Sequence, residues 1–244
     1  MWKWLFGFCL LSQAAAAQEL EKSTWHDYAG TVGEIPVRLL LHLSSDSIVT
    51  AHYCYEKYCT RIPLSGTVAP SGIVLRETGN GKTKALFRLQ LVKGDSLTGS
   101  WTDATAQRHL IVRLHLVSAI VGVSNKLHYG QESDDSVVDA FMQRVRTALL
   151  KRDAAWLATQ VRYPVRVFLN GRRVATIRSR SAFLAHAPAI LHKAYLQRIR
   201  NTCLCTLFSN YQGVMLGNGE VWIRDVYPGK PSLRIVALNN GLIE

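Results

Sequence analysis

From Tyr28 to about Leu116 apolar and polar residues alternate with a period of two, as in strands that bury one face. Val37, Leu39, Leu41 and Leu43 alternate with Arg38 and His42. Val49, Ala51, Tyr53 and Tyr55 repeat the pattern, then Ile62 and Leu64, and Ile73 and Leu75. Ala85, Phe87 and Leu89 make a further strand, Leu97, Gly99 and Trp101 the next, and Leu110, Val112, Leu114 and Leu116 the last. Turn-forming clusters separate them, among them Ser44-Ser45-Asp46, Gly79-Asn80-Gly81 and Lys93-Gly94-Asp95. With no helical stretch between, the spacing predicts an antiparallel meander of roughly seven or eight strands, closed as a small barrel or packed as a sandwich.

Near Ser133 the period changes. Val138, Phe141, Met142, Val145 and Leu149 fall on one helical face, with Asp134 and Asp135 at the end where the helix dipole favours acids. A short helix over Asp153 to Val161 follows, capped by Asp153 and ended by Tyr163-Pro164. Asn170-Gly171 predicts a hairpin between Val165–Leu169 and Val174–Ile177. Ser181 begins a third helix carrying Phe183, Leu184, Ile190 and Leu191, with Pro188 as a kink. Three strands complete the chain: Ile199 to Phe208, Gly213 to Val226 broken at Gly217-Asn218-Gly219, and Ser232 to Leu238. Residues 118–133, rich in glycine and serine, read as the linker between residues 18–117 and 134–244.

The order of helices, hairpin and strands, with Leu150-Lys151-Arg152-Asp153 ahead of Tyr163-Pro164, then Leu207-Phe208-Ser209-Asn210 and Gly213 to Ile223, resembles the NTF2-like or SnoaL-like superfamily. The resemblance covers Asp134 to about Asn239. It implies an α+β cone, so the expected fold class is α+β in two domains, an antiparallel meander or small barrel followed by the cone. Such cones serve isomerases, dehydratases and binding domains alike. The resemblance implies a pocket lined by Trp222, Tyr227 and Tyr163. It offers Asp225, His186 and Tyr195 as candidates for proton abstraction next to a carbonyl. Asp225 also reads as a turn residue ahead of Tyr227-Pro228-Gly229. The first half resembles, more loosely, the small β-rich modules of exported bacterial proteins.

Met1 to Ala17 carries Lys3, an apolar run from Leu5 to Leu11 and four alanines, a signal peptide expected to be cleaved near Ala17. This places the mature chain in the periplasm or outside the cell, and no later segment is long and apolar enough to cross a membrane as a helix. The formal charge of +12 is uneven: residues 18–130 carry 12 Lys/Arg against 9 Asp/Glu, residues 131–244 carry 16 against 8. A basic exported chain suits a protein partner or an anionic envelope polymer rather than nucleic acid. C-type lysozyme inhibitors are also exported barrels with a disulfide, but no counterpart of their inhibitory loop is present, and a basic chain suits a basic lysozyme poorly.

Export permits disulfides. Cys54 and Cys59 flank four residues and are expected to pair across a hairpin; Cys203 and Cys205 are buried thiols, a redox-labile pair, or partners of the first two. His42, His52, His109 and His115 occupy polar positions of separate strands and read as exposed. No metal or cofactor is expected, and no nucleophile elbow or phosphate-binding loop is present. Tyr58 at the first hairpin is a candidate contact residue. The expected function is binding, in the form of an envelope factor, inhibitor or immunity protein, with a small-molecule enzyme using the cone as the alternative; the oligomeric state is left open.

Overall fold

The period-two pattern resolves into eight strands. The computed structural model describes residues 20–44, 47–92, 95–125 and 127–242, so the expected signal peptide over residues 1–17 lies outside the described residues. The strands are β1 (Thr24–Val32), β2 (Ile35–Leu43), β3 (Ile48–Tyr55), β4 (Thr60–Ala69), β5 (Gly72–Gly79), β6 (Lys82–Val92), β7 (Ser96–Asp103) and β8 (His109–Val121). Each pairs antiparallel with the next, and β8 returns to β1 to close a barrel, Tyr28 lying opposite Leu116.

Tyr28, Leu39, Tyr53, Leu75, Phe87 and Leu97 point inward and are buried, as expected for an eight-stranded barrel whose interior side chains just fill it. The Tyr53 hydroxyl donates to Glu77 at 2.6 Å, whereas the hydroxyl of Tyr28 is buried in the same core without a hydrogen-bond partner. At Gly66 and Gly99 a Cβ would lie 1.9 Å from the carbonyl oxygens of Val74 and Arg88; only glycine permits strands to approach this closely.

The outward face of β1, β2 and β3 is not solvated. Asp27, Leu40, His42 and Cys54 are buried there, together with Trp25. The chain leaving β8 folds back over this face. Trp25 Nε1 donates to the Ser124 carbonyl at 3.2 Å, and His42 Nε2 lies 3.0 Å from the Val123 carbonyl. The His128 ring packs edge-on against Trp25, with centroids 5.1 Å apart.

Next come α1 (Asp135–Leu150), α2 (Ala154–Gln160), the hairpin β9 (Val165–Leu169) and β10 (Arg173–Ile177), α3 (Arg180–Ile190) and α4 (Lys193–Arg200). Each start is locally encoded: Asp153 accepts from Trp156 N, Ser179 from Ala182 N, and His192 Nδ1 from Tyr195 N. Asp135 instead accepts from the backbone N–H groups of His128 and Tyr129, which ties the linker to the first turn of α1. A short 3-10 turn, Leu204–Thr206, leads into β11 (Phe208–Asn210), β12 (Gly213–Leu216), β13 (Val221–Asp225) and β14 (Leu233–Leu238), a four-stranded antiparallel sheet in chain order. Val138, Met142 and Val145 of α1, Phe183, Tyr195 and Ile199 cover its inner face, where Val214, Ile223 and Ile235 are buried.

Two expectations are corrected here. The chain is mostly β, with 48% strand against 21% helix, and the second half does not form the distinct NTF2-like α+β cone of the expected fold class. The physical reason is local. The span from Ile199 to Phe208, expected as a long strand, is instead the end of α4, a 3-10 turn and the start of a three-residue strand. The β9–β10 hairpin stands as a separate two-stranded sheet, so the remaining strands do not build one long curved wall.

Candidate binding cleft at the barrel–sheet junction

The four cysteines define how the halves meet. Cys54 is the penultimate residue of β3, on its outward face, and Cys59 follows in the hairpin leading to β4. Cys203 and Cys205 bracket the start of the 3-10 turn after α4. The structure pairs Cys54 with Cys205 and Cys59 with Cys203, across sequence separations of 151 and 144 residues. This corrects the expected Cys54–Cys59 bridge: the outward face that carries Cys54 is covered by the second half, which brings Cys205 onto it with a Cα–Cα distance of 6.1 Å. The Cys203 and Cys205 sulfurs are 3.2 Å apart without forming the local pair. The sulfurs of Cys54, Cys203 and Cys205 lie within 4.8 Å of one another, but as disulfides they offer no thiolate to a metal.

Beside this staple lies a cleft of about 730 Å³, within the usual range of ligand sites. Arg38 comes from the outward face of β2, registered opposite Cys54, and forms a two-point ion pair with buried Asp27. Burial pushes the Asp27 carboxyl up to about 6 in spite of Arg38. From the other side, Arg198 in the last turn of α4 donates to Glu220 at 3.3 Å and to the Asn239 carbonyl at 2.9 Å. The second Glu220 oxygen accepts from Asn218 N at 2.7 Å. At Gly217 a Cβ would stand 2.4 Å from that oxygen, at a φ of +66°, so this turn fits glycine for packing and conformation together. Glu56, Asn201, Thr202, Cys203 and Asn218 complete the polar rim, and Phe208 and Met215 supply an apolar wall.

The cleft therefore presents two guanidinium groups and two carboxylates, the arginines and Glu220 already fixed by neighbours. Such a preorganised, charge-balanced surface suits recognition of a polar partner. None of its lining residues is a histidine, and its one cysteine is bridged.

The residues expected to carry chemistry do not converge. Tyr195 is fully buried, its hydroxyl donates to the Glu220 carbonyl at 2.9 Å, and burial raises its pKa strongly. Asp225 ends β13, where its carboxylate accepts from Ser133 N at 2.8 Å and from Ser232 N; it clamps a turn, as the turn reading anticipated. His186 is exposed on α3. Of the expected pocket residues, Trp222 lines a groove on the outer face of the sheet, Tyr227 is 56% exposed in the turn after β13, and the Tyr163 hydroxyl donates to the Ala158 carbonyl. His109 and His115 are exposed as expected, whereas His42 is buried and burial drives the His52 ring down to about 3. Arg38, Arg198 and Glu220 were not singled out from sequence; the sole signal was an arginine set between the leucines of β2.

The chain matches no family model, no curated protein and no solved structure.

Proposed function

We propose that the protein is an exported binding protein of the cell envelope that holds a protein or an anionic envelope component in the junction cleft, without catalysis. One observation carries this reading: a cleft of about 730 Å³ built jointly by the barrel and the second half, whose arginines are pinned by Asp27 and Glu220. Fixed charges lower the entropic cost of recognition. A polar partner matching both signs of charge gains orientation from them. An inhibitor or immunity role is one form of this function. The enzyme alternative, which rested on a cone, loses its basis with the fold correction.

The test is affinity capture from an envelope extract with the mature protein as bait, beside the Asn218→Trp variant. Asn218 is exposed at the rim, so an indole there fills the cleft. A partner retained by the native protein and lost with the variant supports the reading; equal retention by both contradicts it.

A further inference from the structure

The outer face of the β11–β14 sheet carries a feature that the cleft does not explain. In antiparallel sheets with one packed face, the other is ordinarily polar. Here Trp222 and Ala237 lie opposite each other on β13 and β14, continuing across the sheet the Phe208–Met215 pair that walls the cleft. The register slips between Trp222 and Ile223, so Val236 and Ala237 together oppose Trp222, and both line its groove. The groove has a volume of about 450 Å³.

Tyr211 forms one side. It sits in the two-residue turn between β11 and β12, is 91% exposed, and the turn is fixed by Gln212 N donating to Asn210 at 2.8 Å. An exposed tyrosine on a fixed turn, lining the same groove as a half-buried tryptophan, makes an aromatic corner open to solvent. Next to it Arg224 lies directly across the ladder from Arg234, so the two guanidinium side chains share one face. Like charges in this relation repel. Among the described residues neither is in an ion pair, and Arg224 Nε is buried without a hydrogen-bond partner. The nearest acid in sequence, Asp225, is engaged by Ser133 and Ser232. The groove thus combines a stacking surface with the Arg224 charge, and beside it Arg234, which donates to the Leu233 carbonyl at 2.7 Å; among the described residues no carboxylate pairs with either.

We infer that this groove binds a carboxylate-bearing saccharide, the sugar ring lying on Trp222 against Tyr211 and the carboxylate meeting Arg224 and Arg234. The flat apolar face of a sugar ring packs on indole, and a carboxylate accepts from guanidinium N–H groups. Electroneutral sugars satisfy only the first half of this arrangement, and a second copy of the chain would bring further positive charge.

The inference is tested by calorimetric titration of the mature protein with trigalacturonate and with N-acetylmuramic acid, beside their uncharged counterparts trigalactose and N-acetylglucosamine. Saturable binding of at least one acidic sugar is expected, weaker by about tenfold or more for its neutral counterpart and for the Arg224→Gln/Arg234→Gln variant. Trp222→Ala is expected to weaken it comparably. Should that variant fail to fold, Tyr211→Ala, whose side chain is almost wholly in solvent, reads the same surface. Asn218→Trp in the junction cleft is expected to bind as the native protein does, which separates this site from the cleft. No binding of either acidic sugar at millimolar concentration overturns the inference. So does equal binding of acidic and neutral sugars, or an affinity unmoved by the groove variants.

Discussion

Arg61 of β4 forms an ion pair with Asp139 of α1, with Nη1 2.5 Å from Oδ2, and the Tyr129 hydroxyl donates to the same carboxylate at 2.6 Å. This triad joins the barrel, the linker and the first helix. Both charged side chains are about one-third exposed, so solvent screens the pair in part. A double-mutant cycle of Arg61→Gln and Asp139→Asn is expected to give a coupling of about 1–2 kcal/mol by denaturant unfolding. A coupling near zero would mean the junction is not held at this point.

The histidines around Trp25 set a pH dependence. Burial, with the Arg61 charge adding to it, drives His52 down to about 3, and burial, with His52 next, holds His128 well below its usual value. The unfolded chain takes up these protons near pH 6.5, while the folded chain does not, so stability falls as pH drops below about 6.5. The slope approaches about 1.4 kcal/mol per pH unit for each ring. Asp27 and Asp135, both pushed up to about 6 by burial, act in the opposite sense below that pH, because there the folded state takes up protons first. His26, lowered by burial as well, adds to the loss, so unfolding free energies at pH 7.5, 6.5, 6 and 5 are expected to decline below 6.5 and to fall less steeply below 6. His52→Phe, which removes a buried nitrogen with no hydrogen-bond partner, is expected to soften the decline and to match or exceed native stability at pH 7.5.

Disulfide connectivity has a direct readout. Trypsin cuts after Lys57, so the crossed pairing yields one species joining the Cys54 peptide, the Tyr58–Arg61 peptide and the peptide containing Cys203 and Cys205. A local Cys54–Cys59 bridge would join only the first two. Either crossed bridge alone closes a loop of similar size, worth about 5 kcal/mol in the chain-entropy account. Cys54→Ser/Cys205→Ser is thus expected to cost far less than replacing all four cysteines.

Gly99 tests the barrel itself. Its Cβ would lie 1.9 Å from the Arg88 carbonyl oxygen, so Gly99→Ala must push β6 and β7 apart. A loss of about 2 kcal/mol or more is expected by thermal or denaturant unfolding; a variant as stable as the native chain would mean that these strands do not approach so closely.

The barrel was legible because Ala85, Phe87 and Leu89 are buried while Lys84, Arg88 and Gln90 beside them face solvent, and a period of two survives wherever one face is bare. It failed at the start of β1, where Trp25 and Asp27 are buried on the outward face and His26 inside, so both faces are covered and the alternation is lost. The helices capped by Asp153 and the Asn170-Gly171 hairpin carry their own signals and were read correctly. In α4, Tyr195, Leu196 and Ile199 share one helical face, but only Ile199 onward had been assigned, as a strand. The cleft was illegible for a different reason: Arg38 and Arg198 are 160 residues apart and meet only through the docking that the cysteines fasten.

The most direct test of the binding account is site-specific photocrosslinking in intact cells, with the reactive side chain placed at Asn218 in the cleft or at Lys82, which is exposed at the start of β6. The account predicts a discrete adduct from position 218 and none from position 82. Absence of an adduct at 218, or the same adduct from both positions, would contradict it.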